Sequence, residues 1–273
     1  MPTGCYGITL DGLPGAAGLL RPTAPGDPVL HVAQRRGQEE PTHPGISDDR
    51  AAYPMANGAG TVLLDRAAGS LAYVTGAPLP DRHVVHPHLA LPASVVARWS
   101  GRDALHAGAF EVDGGAWGVL GPRDSGKSSL LAQLHLLGVP VLSDDVVVVA
   151  DGQVLPGPGL VDLRRGAAGH FGVGEALGVV GRRERWRVEV PPATAAPLRG
   201  WLLPAWGTAG LQRVPPTARL PVLMTNVALR LPPPDPARFF ELAGVPVLQW
   251  SRPRDWAQLE QGTRRLLESL PAA

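Results

Sequence analysis

Cysteine occurs once in the 273 residues, at Cys5, and lysine once, at Lys127. A single thiol excludes an intrachain disulfide framework and any cysteine-based zinc site. No apolar run approaches the roughly 18 residues of a membrane-spanning helix, and no basic stretch leads into an apolar one as in a secretory leader. No block of like charge stands out either, since 25 basic residues face 24 acidic ones. That balance disfavours non-specific association with nucleic acid or an anionic membrane surface. The expectation is a cytoplasmic, soluble protein with neither nucleic-acid nor membrane partners. Aromatic residues are few, and the seven tryptophans are scattered, which suits core and rim positions better than a base-stacking platform. No internal repeat is visible.

What the chain has in abundance is glycine (34) and proline (30), alongside 44% hydrophobic residues, enough for a packed core. All basic residues but one are arginine. Arginine's planar fork cannot imitate a compact ammonium, so the one retained lysine directs attention to its neighbourhood.

Hydrophobic alternation and turn residues divide the chain. Residues 1–99 read as a strand-rich segment, with strands at 6–10, 29–33, 61–65 and 71–75 and a turn at 67–70. The charged, Gly/Pro-containing stretch 35–54 reads as a mobile loop, and 91–100 as a short helix. Residues 100–273 read as one α/β domain. It opens with a hairpin, 109–112 and 116–120, around Asp113-Gly114-Gly115. A loop at 121–128 precedes a helix at 128–137, which buries Leu130, Leu131, Leu134 and Leu137 and stops at Gly138. A strand at 139–143 ends in Asp144-Asp145, and a second hairpin pairs 146–150 with 153–155 across Asp151-Gly152. Later come helices at 236–243 and 255–270, with a strand at 245–250 between them.

The loop Gly121-Pro122-Arg123-Asp124-Ser125-Gly126-Lys127-Ser128 satisfies G-x-x-x-x-G-K-[ST] in full, and Ser129 follows it. Such a loop curls backbone N–H groups around an oxyanion and adds the positive N-terminus of the next helix. Lys127 would bridge the outer phosphates of a nucleoside triphosphate, and the Ser128 hydroxyl would serve Mg²⁺. Mg²⁺ takes hard oxygen ligands, one or two of them carboxylates, and a strand–helix–strand unit brings Asp144 and Asp145 beside the loop. One aspartate would serve the metal and the other would act as general base toward an acceptor hydroxyl, with Asp145 the better base. The lone lysine excludes a guanine-specificity box of the N-K-x-D kind. The clusters Arg182/Arg183/Arg185/Arg187 and His83/His86/His88 have no role that spacing alone assigns.

The run Leu105-His106, the hairpin, the loop and Leu142-Ser143-Asp144-Asp145 resembles the C-terminal kinase domain of HPr kinase/phosphorylase and its small bacterial serine-kinase relatives. The resemblance is specific over 105–150 and weakens to 166. It implies a core of the phosphoenolpyruvate-carboxykinase type, a mixed sheet with flanking helices, with ATP and Mg²⁺ as cofactors and transfer to a serine hydroxyl. It implies a site role for His106, and from Val161-Asp162-Leu163-Arg164 a second acidic group near the metal and an arginine near phosphate. Pro122, Arg123 and Asp124 depart from the small residues usual there, and the HPr-docking segment of the large bifunctional enzymes is not matched. The expected partner is a serine-bearing peptide or small protein, such as a natural-product precursor, with homo-oligomers expected as well. Alternatives are a small-molecule kinase with the same site and an ATP-binding sensor that transfers nothing.

Overall fold

A computed structural model describes residues 2–37, 44–55, 58–180, 183–191 and 193–271. The first 75 residues build an eight-stranded mixed sheet. Its central strand, Val29–Arg36, lies parallel to both Ile8–Asp11 and Ser70–Thr75. The strand expected from residue 6 begins instead at Ile8. Tyr6 and Gly7 both take positive φ (59° and 68°), so they form the two-residue turn back to Thr3–Cys5. The stretch 35–54 is not one loop. Val29–Arg36 runs through its start, and Gly45–Ile46 and Arg50–Pro54 are strands paired antiparallel with each other. Residues 38–43 of it lie outside the described part. The helix Ala90–Trp99 follows.

The second sheet has nine strands and carries the loop. Gly108–Val112 and Gly115–Val119 pair in register across Asp113-Gly114, whose φ values of 50° and 70° suit a tight two-residue hairpin. Val141–Ser143 pairs antiparallel with Gly108–Val112. It therefore runs parallel to Gly115–Val119, one strand removed, and the helix Lys127–Leu136 makes the crossover. This brings the end of the Asp-Asp strand level with the loop. On the other side of Gly115–Val119 lies the long strand Ala196–Trp206, parallel to it and then to Val247–Arg252. Pro197, Gly200 and Pro204 disguise that strand in the sequence, since proline ordinarily argues against a central strand.

The register between Gly115–Val119 and Ala196–Trp206 rests on a reciprocal fit. Trp117 pairs with Gly200 and Gly118 with Trp201. A Cβ on Gly118 would come within 2.2 Å of the Trp201 ring, and one on Gly200 within 2.6 Å of Trp117. Each indole occupies the space its partner glycine leaves free. Gly118→Ala and Gly200→Ala should therefore each destabilise by about 1–3 kcal/mol, against the usual gain of alanine over glycine in a strand. Urea unfolding midpoints check this, and unchanged midpoints would show that the indoles can move aside.

The first sheet shares a core with the second, since Ile8, Leu19 and Tyr73 cluster with Val146, Val148 and Leu229. Buried Arg21 adds polar clamps, donating from Nε to the Gly157 carbonyl at 2.9 Å and from Nη1 to Pro191 at 3.0 Å. A third sheet of Leu160–Leu163, Arg183–Glu189 and Glu175–Val180 hangs beside the loop helix. No helix among the described residues is long and apolar enough to cross a membrane.

Candidate active site

The loop leaves Gly115–Val119 and turns at Gly121, whose φ is 128°. Its N–H is taken by the side chain of Asn226, with Nα–Oδ1 at 3.0 Å. The carbonyl of the same Asn226 accepts from the His106 N–H at 2.7 Å, so one buried amide residue ties the loop's start to the strand end that carries His106. Nothing in the sequence singles out Asn226, because the two site groups it joins, Gly121 and His106, lie more than a hundred residues away. Further along, Asp124 and Gly126 take φ values of 67° and 88°, and the chain enters Lys127–Leu136 with no side-chain cap. The first helical N–H groups are thus left open toward the cavity. Among the described residues, Ser125 Oγ is buried with no hydrogen-bond partner.

Lys127 folds back over the loop, its Nζ donating to the carbonyls of Gly121 (2.6 Å) and Pro122 (3.2 Å). Burial lowers its pKa, an effect opposed by Asp144, Asp145 and Asp124. Ser128 Oγ donates to Asp144 Oδ1 at 3.2 Å. The same Oδ1 accepts from the Asp145 N–H, and Oδ2 accepts from the Asp162 N–H, both at 2.9 Å. Asp144 is almost fully buried, and burial pushes its pKa up to about 6, with Asp145 and Asp162 adding to the rise and the Asp162 and Ser128 hydrogen bonds opposing it.

Asp145 leaves the strand with φ of 71°, a conformation rare for a residue with a side chain. That turn swings its carboxylate away from Asp144 into the open cavity. His106 Nδ1 holds it, lying 2.9 Å from the Asp145 carbonyl and 3.4 Å from Oδ1. The two adjacent aspartates thus have different surroundings, set by the turn at Asp145 just past the end of the strand Val141–Ser143.

A cavity of about 720 Å³ opens here, lined among others by Arg123, Lys127, Ser128, Ser129 and Asp145. Asp162, expected beside a metal, lines it too, but its carboxylate is bound by Arg185 and lies 3.7 Å from His86 Nε2. Arg164, expected near phosphate, pairs with Asp124 of the loop at 2.6 Å, both half exposed. Of the basic cluster, Arg183 and Arg185 face the cavity, while buried Arg187 pairs with Glu175 at 2.6 Å; Arg182 lies outside the described residues. His83, His86 and His88 do not converge. Among the described residues no group of three or more His, Cys, Asp or Glu side chains is arranged to hold a metal ion. His88 is pushed down to about 4, chiefly by burial and then by His86 and Arg185, so it is neutral near pH 7.

The far wall is one that pattern reading missed. Trp206 Nε1 donates to the Asp124 carbonyl at 3.0 Å, and Arg252 Nη2 donates to the Gly126 carbonyl at 3.3 Å. Both come from the ends of adjacent parallel strands, remote in sequence from the loop they touch.

No known protein-family model matches the chain, and no curated protein matches it. Among solved structures it is similar to the Hpr(Ser) kinase/phosphatase from Coxiella burnetii, at 12% identity and a TM-score of 0.30, over 60% of this chain and 95% of that one.

Proposed function

We propose that the protein is an ATP- and Mg²⁺-dependent kinase that phosphorylates a hydroxyl, with a serine in a peptide or small protein as the acceptor. The observation that carries this reading is the division of labour between the two aspartates. Asp144 is drawn onto Ser128 at the loop, while Asp145 is turned into the cavity and steadied by His106. A site for binding alone has no need of the second carboxylate.

The residues suit the groups assigned to them. The unpartnered Ser125 Oγ, the uncapped helix N-terminus and Lys127 make a cradle for phosphate oxygens. Ser128 Oγ and Asp144 Oδ1, 3.2 Å apart, are the hard oxygen donors Mg²⁺ requires, and they would hold it. When bound, the metal supplies charge neutralisation on the phosphate oxygens. Lys127, released from the Gly121 and Pro122 carbonyls, would turn its ammonium to the outer phosphates. Asp145 accepts the acceptor hydroxyl's proton as that oxygen bonds the γ-phosphorus. The bond from phosphorus to the bridging oxygen breaks, and ADP leaves. Positioning and charge supply most of the acceleration in such a transfer.

Incubation with γ-labelled ATP, Mg²⁺ and pools of serine-containing peptides or small metabolites tests this. Label should appear in a peptide pool with the wild-type chain, and Lys127→Ala should reduce transfer at least a hundredfold. Label confined to metabolites would make it a small-molecule kinase. No transfer to either pool, with ATP still bound, would leave a nucleotide-binding sensor.

A further inference from the structure

Arg252 is the last residue of Val247–Arg252, and its parallel partner on the neighbouring strand is Trp206. Trp250 precedes it by two residues and so shares its face. The guanidinium carbon lies 4.2 Å from the Trp206 ring centroid and 4.8 Å from that of Trp250. Arg252 is only 7% exposed. Among the described residues no carboxylate pairs with it, and its buried Nε has no hydrogen-bond partner. The guanidinium's one polar contact among the described residues is the Gly126 carbonyl, which already accepts the helical N–H of Leu130.

A buried cation without an anion is costly, and two indole faces offset only part of that cost. Burial lowers the pKa to about 10, which still leaves the group charged at neutral pH. The pattern is that of a site prepared for an anion. Its position says which one, because Arg252 lines the same cavity as Lys127, Ser128 and Ser129. The fit is close: a Cβ on Gly126 would lie 2.3 Å from Arg252 Nη2 and 3.1 Å from Trp206. The second glycine of the loop, needed for its φ of 88°, thus also leaves the room that the guanidinium and the Trp206 ring occupy.

Building on the kinase reading, we propose that Arg252 is a direct ligand of the nucleotide's phosphate chain. It would grip from the Trp206 side of the loop while Lys127 grips from the side of the Gly121 and Pro122 carbonyls. The ligand class is a nucleoside di- or triphosphate, and the two tryptophans keep the guanidinium extended, desolvated and ready.

The alternative role is a brace that merely holds the loop through the Gly126 carbonyl. ADP affinity and the ligand-free thermal midpoint of the wild type, R252K, R252Q and R252M separate the two. Direct contact predicts that R252K stays within about tenfold of the wild type, while R252Q and R252M both lose more than tenfold. A brace predicts instead that R252Q and R252M, neither of which reaches the Gly126 carbonyl, both lower the ligand-free thermal midpoint. Removing an uncompensated buried cation should also leave the ligand-free thermal midpoint of R252M unchanged or raised, while the shift induced by ADP shrinks. R252Q binding ADP within threefold of the wild type, or R252K losing as much as R252M, would overturn the proposal and leave the kinase reading standing. A wild-type chain that binds no ADP would overturn both.

Discussion

Asp145→Asn should leave ADP affinity within about twofold of the wild type and cut phosphoryl transfer by 10²–10⁴-fold, the usual worth of a positioned general base. The other acids around the cavity are already committed. Asp144 accepts three hydrogen bonds, from Ser128, Asp145 and Asp162. Asp162 is bound by Arg185, Asp124 by Arg164, and Asp255 accepts from Ala257 and Gln258 at the start of the last helical segment. Glu184 lies 3.9 Å from Arg165. Among the described acids that line the cavity, Asp145 is the one whose carboxylate is tied neither to an arginine nor to a hydroxyl, amide or backbone donor, and His106 Nδ1 lies 3.4 Å from its Oδ1. Asparagine tolerates the left-handed backbone that residue 145 adopts, so the fold should survive. The measurement is single-turnover transfer from labelled ATP at saturating nucleotide, beside an ADP titration of the same preparation. Transfer within tenfold of the wild type would remove Asp145 as the base. Unchanged nucleotide binding in a wild-type chain that transfers nothing would favour the sensor.

What could be read from the sequence was what lies close together in it. The loop, the helix after it and the Asp-Asp pair fall within 25 residues, and local chemistry fixes each of them: glycines where φ is positive, a leucine stripe, a strand that stops at two acids. Asp-Gly hairpins at 113–114 and 151–152 were legible for the same reason. Tyr6 was misread because a tyrosine beside a glycine looks like strand, whereas here it takes the first position of a tight turn. The wall built by Asn226, Trp206 and Arg252 was invisible as a wall. Each touches the loop from 80 to 130 residues away through strand order, and no local pattern encodes which strand lies next to which. The strand Arg183–Glu189 hid behind its charge, since five of its seven residues are arginine or glutamate and few apolar positions mark a strand. In the fold Arg185 and Arg187 are largely withdrawn from solvent, bound to Asp162 and Glu175.

Asp144→Asn should move stability and activity in ways that a purely structural residue would not. Below about pH 4, Asp144 is protonated in both the folded and the unfolded chain, and its burial costs nothing through ionisation. Between pH 4 and 6 the unfolded chain ionises at the ordinary carboxylate pKa while the folded group, raised to about 6, holds its proton. The unfolded state then binds fewer protons, so wild-type stability falls across that window, by up to about 3 kcal/mol for two pH units. By about pH 7, one unit above the folded pKa, the loss is complete and constant. Asparagine cannot titrate, so the stability difference, variant minus wild type, should climb from pH 4 to pH 7. Its absolute level is set by a second effect of opposite sign. Both oxygens of Asp144 accept hydrogen bonds, and the amide group of asparagine places a donor against one of those N–H or O–H partners, at a cost of about 1–3 kcal/mol. The slope with pH, rather than the offset, is therefore the signature. Urea unfolding in metal-free buffer at pH 4, 5, 6 and 7 measures it, and a flat difference would mean that Asp144 ionises normally in the folded chain. In the same variant Mg²⁺-supported transfer should fall at least a hundredfold, because a neutral amide is a poor partner for a hard dication. Both outcomes together would mean that Asp144, whose charge weakens the fold at neutral pH, is retained for that charge.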